Sequence, residues 1–307
     1  MGRRRRQKND SGIAGILLVD KPAGPTSFDI VADVRRALKT ARVGHTGTLD
    51  PFASGLLVIV LGRYTKLASH FTNQHKSYEA EVYFGSETDT CDRTGEIVRE
   101  GSIDTLNKET LECALEKFRG DLEQTPPIFS AIKVDGERLY KKARRGESVE
   151  IPSRSIKIHE LTLKKLEGHK ATLYVSCSKG TYIRALARDI GRELSIPAHL
   201  EELRRTTVGD FKIEDACALD DIQPEHVRRD IKAVADLKPI VIDEKTAERL
   251  RNGQKVPSKL VVDWADEVHA AFYEDDLVAL VNRHGNCLQI TRGLWPEVLP
   301  EARTDEE

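Results

Sequence analysis

Two unbroken apolar runs, GIAGILLVD at Gly12–Asp20 and LLVIVL at Leu56–Leu61, are long enough for strands and far too short to cross a bilayer. A run that is apolar at every position has no face to give to water, so each strand needs cover on both sides. The 307 residues can supply that cover. Between the runs lies Gly44-His45-Thr46-Gly47-Thr48-Leu49-Asp50-Pro51-Phe52-Ala53-Ser54-Gly55, a polar, glycine-rich segment. A loop that leads directly into a buried strand is delivered to the edge of the core.

The rest of the chain alternates element types. The turn Lys21-Pro22-Ala23-Gly24-Pro25 ends the first strand, and Thr26 to Asp29 has capping-box spacing. Ile30, Val34 and Leu38 then repeat at helical intervals, predicting a helix over Ser27–Leu38. Tyr78, Ala80, Val82 and Phe84 share one face of a half-buried strand over Ser77–Phe84, and a helix is expected over Asn107–Phe118. From Gln124 to Pro152 the text is basic, punctuated by glycine and without sustained period, which predicts a long functional excursion. Leu173, Val175 and Cys177 alternate as a strand. Gly180 turns the chain, and Ile183, Leu186, Ala187, Ile190 and Leu194 give the next helix one apolar stripe. After Pro239 come short strands at 240–242, 259–262, 268–273, 277–281 and 287–290, the pattern of a small β-barrel appended to an α+β body.

Charge argues against a generic nucleic-acid binder, because 48 Lys and Arg stand against 50 Asp and Glu, a formal −2. Any RNA contact must then rest on local runs such as Arg3–Arg6, Lys141–Arg145 and Arg204–Arg205, each of which alone reads as solvated surface. The five cysteines are scattered and form no Cys-x-x-Cys pair, so neither a zinc site nor a disulfide framework is indicated. The basic start followed by an apolar run is broken by Asp20, Lys21 and Pro22 with no cleavage pattern, and reads as a basic tail before a first strand. A cytoplasmic protein without a membrane segment is the expectation.

Asp50 is the sharpest candidate for chemistry, since Pro51 restricts its backbone and a fixed backbone aims a carboxylate. Taken alone, an Asp in a Gly/Pro loop more often satisfies turn amides. Six ordered segments alter that balance: GILLVDKPAGPTSFD from Gly15, GHTGTLDPFASGLL from Gly44, KSYEAEVYFGSETDTCDRTGE from Lys76, QTPPIFSAIKVDGERLYKKARRGE from Gln124, GTYIRALARDIG from Gly180 and LRRTTVGDF from Leu203. Together they resemble the TruB-type pseudouridine synthases.

The resemblance implies a mixed, largely antiparallel central sheet flanked by helices and loops over 12–238, with a small PUA-like RNA-binding barrel over 239–298. Residues 1–11 and 299–307 are expected to be basic and acidic tails. It implies a cofactor-free, metal-free isomerisation of uridine 55 in the T loop of tRNA, performed on a flipped-out base. Asp50 matches the essential aspartate, acting as nucleophile or base. Arg184 matches its partner; it falls in the first turn of a helix, where a cation is disfavoured and a carboxylate nearby removes the mismatch. That pairing is expected to lower the Asp50 pKa and keep it ionised.

Tyr78 matches the tyrosine that stacks on the base and assists proton removal at carbon 5, although its pattern alone reads as core. Tyr182 and Leu203 match uracil-pocket residues, and His45 a histidine that contacts the displaced nucleotide. Lys21, Lys66, Lys133, Arg138, Lys141, Arg144 and Arg145 are the expected RNA-binding cations, most of them in a loop about 124–152 that closes on the T arm. No obligate protein partner is implied, and monomer is the default. Two alternatives remain open at this point, a guide-RNA-dependent relative and a non-catalytic tRNA-binding or folding protein.

Overall fold

The computed structural model describes residues 11–130, 133–134, 137–138, 145, 151–229, 237–257, 268–274 and 276–296. The tails, the cations at 141 and 144, and the strand expected at 259–262 lie outside the described residues. So does most of the loop expected at 124–152.

The first apolar run forms β1 (Gly15–Lys21) and the second forms β3 (Ser54–Leu61), paired antiparallel from Gly15↔Leu61 to Lys21↔Gly55. Both are buried along almost their whole length, as an all-apolar strand requires. Helix α1 (Ser27–Ala37) covers one face of this pair, its start fixed by the expected capping box between Thr26 and Asp29. The short β2 (Val43–His45) adds to the edge of β3.

The central sheet is completed by β4 (Lys76–Phe84), β7 (Gly120–Gln124), β10 (Arg154–Glu167), β11 (Lys170–Cys177), β12 (Ala198–Val208), β13 (Phe211–Lys212) and β14 (Cys217–Ala218). Its main path runs β14-β1-β3-β12-β4-β11-β10-β7. Only the β1–β14 and β3–β12 contacts are parallel, so the sheet is mixed and largely antiparallel. Short helix α2 (Ala68–Thr72) precedes β4, and a small ribbon, β5 (Ser86–Thr88) with β6 (Ile97–Glu100), follows it. Helices α3 (Lys108–Glu116) and α4 (Ile183–Glu193) close over the core built on β4, β10, β11 and β12. Lys133–Val134 and Glu137–Arg138 form a two-stranded ribbon, β8 and β9, inside the expected long excursion.

At the C-terminal end, β15 (Lys238–Val241), β16 (Val256–Pro257), β17 (His269–Tyr273), β18 (Asp276–His284) and β19 (Cys287–Gly293) form a curled five-stranded sheet with α5 (Glu244–Arg251). This is the small β unit expected from the short strands. Its Ala270, Phe272, Leu277 and Leu294 pack in one core with Tyr64, Leu67 and Phe71 of the body, and Arg63 pairs with Asp276 at 2.9 Å. Among the described residues no helix is long and apolar enough to cross a membrane.

Candidate active site

The loop bearing Asp50 is braced from behind by the turn that follows β1. Ser27, the first residue of α1, accepts from Leu49 N at 2.9 Å and donates to Leu49 O at 3.0 Å. Gly24 N donates to Pro51 O at 2.7 Å. Lys21, expected among the RNA contacts, is instead fully buried, with its ammonium donating to the carbonyls of Pro22, Pro51 and Ala53 at 2.9, 3.3 and 2.7 Å. A side chain enclosed in this way holds the Asp50 loop and does not present itself to a phosphate. Burial pushes its pKa down to about 8, against the upward pull of Asp50.

Arg184 reaches Asp50 from the first turn of α4, Nε lying 2.9 Å from Oδ2. Its Nη1 donates to Thr90 O at 3.0 Å and to Asp92 Oδ2 at 3.2 Å, and Nη2 donates to Phe129 O at 3.1 Å. The Nε–H is not aligned on an acceptor among the described residues, so the link to Asp50 is one of charge at short range. Arg184 thus sits between two carboxylates, one enclosed (Asp92 side chain 5% exposed) and one facing the cavity (Asp50, 37%).

Asp92 is fixed by its own turn. Its Oδ1 accepts from Thr94 N and from the Thr90 and Thr94 hydroxyls at 2.9, 2.9 and 2.5 Å. The expectation that Arg184 lowers the Asp50 pKa is corrected in its net result. Burial raises it, Arg184 opposes, Asp92 raises it further, and the balance is upward.

Asp50 and Arg184 open on a cavity of about 710 Å³, whose lining includes Tyr78, Tyr182 and Leu203. Tyr78 and Arg205 are direct partners across β4 and β12, and Leu203 lies on the same face two residues earlier. Burial pushes the Tyr78 phenol up to about 12, with Arg205 opposing. The phenol is therefore neutral at ordinary pH. Tyr182 caps α4 with its backbone clamped by Gln124, which accepts from Tyr182 N at 2.8 Å and donates to its carbonyl at 3.1 Å. Arg154 lies 5.4 Å over the Tyr182 ring.

His45 does not line the cavity. Its ring meets Phe28 edge-on at 5.2 Å, and Nδ1 accepts from Gly47 N at 3.4 Å. Lys66 is exposed and donates to Gly293 O at 2.6 Å. Arg145 is exposed in a turn; Lys133 and Arg138 are register partners in the β8–β9 ribbon.

Three charged groups at this site escape pattern reading. Lys76, a buried side chain, donates to Thr72 O at 3.1 Å and Gln74 O at 2.6 Å, and burial lowers its pKa to about 8. Arg205, only 2% exposed, donates from Nε to Leu56 O at 2.7 Å and from Nη2 to Gly47 O at 3.0 Å. Asp92 is the third. Arg205 shares strand parity with Leu203, so an inward face was available to find it; Asp92 carries no comparable sign.

The architecture is that expected of a pseudouridine synthase, and Asp50, Arg184 and Tyr78 meet at one cavity within it. The profile described as "TruB family pseudouridylate synthase (N terminal domain)" matches residues 35–183, and that of "tRNA pseudouridylate synthase B C-terminal domain" matches residues 184–243. The chain is 41% identical over 292 residues to a "tRNA pseudouridine synthase B" of Bacillus pumilus, covering 91% of this chain and 92% of that protein. It is 40% identical over 275 residues to one from Caldanaerobacter subterraneus, covering 89% and 93%. Among solved structures, a "Cbf5-Nop10-Gar1 Complex" matches with a TM-score of 0.71 at 24% identity, covering 93% of this chain and 86% of that one; at this identity the likeness is one of fold. The chain belongs to the TruB family of pseudouridylate synthases.

Proposed function

We propose that this protein isomerises uridine 55 in the T loop of tRNA to pseudouridine, with Asp50 as the catalytic carboxylate. The observation that carries the reading is the Asp50 carboxylate, 2.9 Å from Arg184, at a 710 Å³ cavity walled by Tyr78, Tyr182 and Leu203. The names of the relatives from Bacillus pumilus and Caldanaerobacter subterraneus support tRNA as the substrate.

A base within a folded loop is out of reach until it is turned out of its stack, which costs a few kcal/mol. The aromatic and apolar walls receive it and offset that cost. Once seated, the uracil lies between Tyr78 and Leu203 with its sugar toward Asp50. The C1′–N1 bond breaks, the base turns, and a C1′–C5 bond forms while the C5 proton is lost and N1 gains one. No electrons enter or leave. Asp50 acts at the sugar as nucleophile or base, Arg184 fixes its orientation, and Tyr78 stacks on the base and assists at C5.

The chain over 12–238 forms the catalytic body in this reading, the PUA-like unit at 239–298 adds RNA contact, and the cations at 133, 138, 141, 144 and 145 grip the T arm. Incubating the purified protein with a T-arm stem-loop tests the proposal. Conversion of the target uridine, abolished by Asp50→Asn with stem-loop affinity retained, is the expected result. Full conversion by Asp50→Asn overturns the role of Asp50, and tight binding without product by the wild type supports a binding protein instead.

A further inference from the structure

Two cations at the cavity floor are not accounted for by the Asp50–Arg184 pair. Lys76 and Arg205 line the same cavity, and a methyl group built on Gly47 would stand 3.5 Å from Arg205 Nη1 and 3.6 Å from Lys76 Cε, so both reach the same small space beside the catalytic loop. Among the described residues neither has a carboxylate within 4.0 Å; Lys76 is held by backbone carbonyls, and Arg205 by backbone carbonyls and the Tyr78 hydroxyl, none of which is a counter-ion. Each also acts against the other electrostatically, the Arg205 charge depressing Lys76. Like charges buried without a counter-ion are costly. An anionic guest would offset that cost, and Asp50 is not it, since its own electrostatic partners are Arg184, Asp92 and Lys21.

We propose that Lys76 and Arg205 form an anion-stabilising floor for the departing uracil. This rests on the isomerase reading above. When C1′–N1 breaks, the bonding pair leaves with the base, which becomes a uracil monoanion with charge shared by O2 and O4. The pair that then forms C1′–C5 comes from the same anion, so its charge exists only between the two bond changes. Donors fixed at that place favour the intermediate over both substrate and product. Arg205 is the cross-strand partner of Tyr78, so the floor lies under the ring expected to stack on the base. A backbone phosphate is the other anion available, but it would meet the more exposed cations of the lining before the enclosed Arg205. Of that lining, Lys179 is exposed and Arg154 half-buried, whereas Arg205 is 2% exposed.

Lys76 is the residue to vary, because Arg205 also supports the Asp50 loop through Gly47 and Leu56. Single-turnover consumption of the target nucleoside is measured for wild type, Lys76→Met and Lys76→Arg on T-arm stem-loops carrying uridine or 5-fluorouridine. Fluorine makes the departing base a more stable anion and less dependent on help. Lys76→Met is expected to lose about 10²–10³ in rate on uridine, with stem-loop affinity unchanged and Lys76→Arg partly restored.

The decisive readout is the ratio of the two substrates within one variant, which does not depend on the fraction folded. The loss on 5-fluorouridine should be roughly tenfold smaller than on uridine. Equal losses on both substrates overturn the proposal, as does weakened affinity at unchanged rate, which would mark Lys76 as a phosphate contact. A wild type that converts neither substrate but binds the stem-loop overturns the isomerase reading itself.

Discussion

Asp92→Asn exchanges one oxygen for an NH₂ group and removes one charge from the enclosed end of the Asp50–Arg184–Asp92 chain. Removing a partner outright from a buried ion pair costs about 3–5 kcal/mol, but here the loss is smaller. Asn can still accept from Thr94 N, and Arg184 keeps the Thr90 and Phe129 carbonyls and its approach to Asp50. The cost should be near that of one hydrogen bond to a charged group, about 1.5–3 kcal/mol. A guanidinium held less firmly also misplaces Asp50, and a displacement of an ångström is worth about 10² in rate.

The pH dependence gives the sharper test. Asp92 is one of the two influences that raise the Asp50 pKa, so removing its charge lets that pKa fall. If ionised Asp50 is the active form, the acid limb of the wild-type rate profile lies above the ordinary carboxyl value, and the limb of Asp92→Asn moves to lower pH even as the plateau drops. Stability follows the same sign. A raised carboxyl pKa means the folded state holds its proton more tightly, so this contribution is present below the ordinary pKa and is lost as pH rises through the folded value. Single-turnover rates across pH, with urea unfolding in parallel, read both effects. An acid limb that stays in place or moves upward in Asp92→Asn would refute the electrostatic coupling.

Lys21→Met strands three backbone carbonyls and should cost about 2–4 kcal/mol in urea unfolding. With Lys21 at about 8 in the fold against 10.5 in the open chain, the unfolded state holds more protons between those values. Wild-type stability therefore gains with rising pH there, and the variant should gain less. Gly55 has φ +102°, and an added Cβ would lie 2.3 Å from Arg205 O, so Gly55→Ala should disrupt the β3–β12 contact at a cost of about 2–4 kcal/mol; wild-type stability would contradict this. Tyr78→Phe should bind the T arm normally and lose about 10²–10⁴ in rate. The wild-type profile should show no limb from a free phenol near 10, because the group is pushed up to about 12.

Elements with a strong local signature were legible: the all-apolar β1 and β3, the capping box at Thr26–Asp29, the alternation through β4 and the apolar stripe of α4. Asp50 and Arg184 are connected only through ordered motifs, since nothing in the 133 intervening positions announces that a loop and a helix start will meet. Lys21 looked like surface because its charge is visible in the text and its three carbonyl partners are not. The direction of the Asp50 shift is hidden in the sequence for a related reason. A partner arginine can be inferred from type and position, whereas burial and a second carboxylate from another turn belong to the assembled sheet.

The two parts of the molecule are joined through shared packing. Phe272 and Leu277 of the last sheet, with Leu294 just after it, complete the same oily interior as Leu67 and Phe71, and the latter lies beside Thr72, whose carbonyl holds Lys76 at the cavity floor. A chain shortened at residue 238 would therefore be an enzyme with one flank flayed open. Its sticky wound would sit a single helical turn from the pocket.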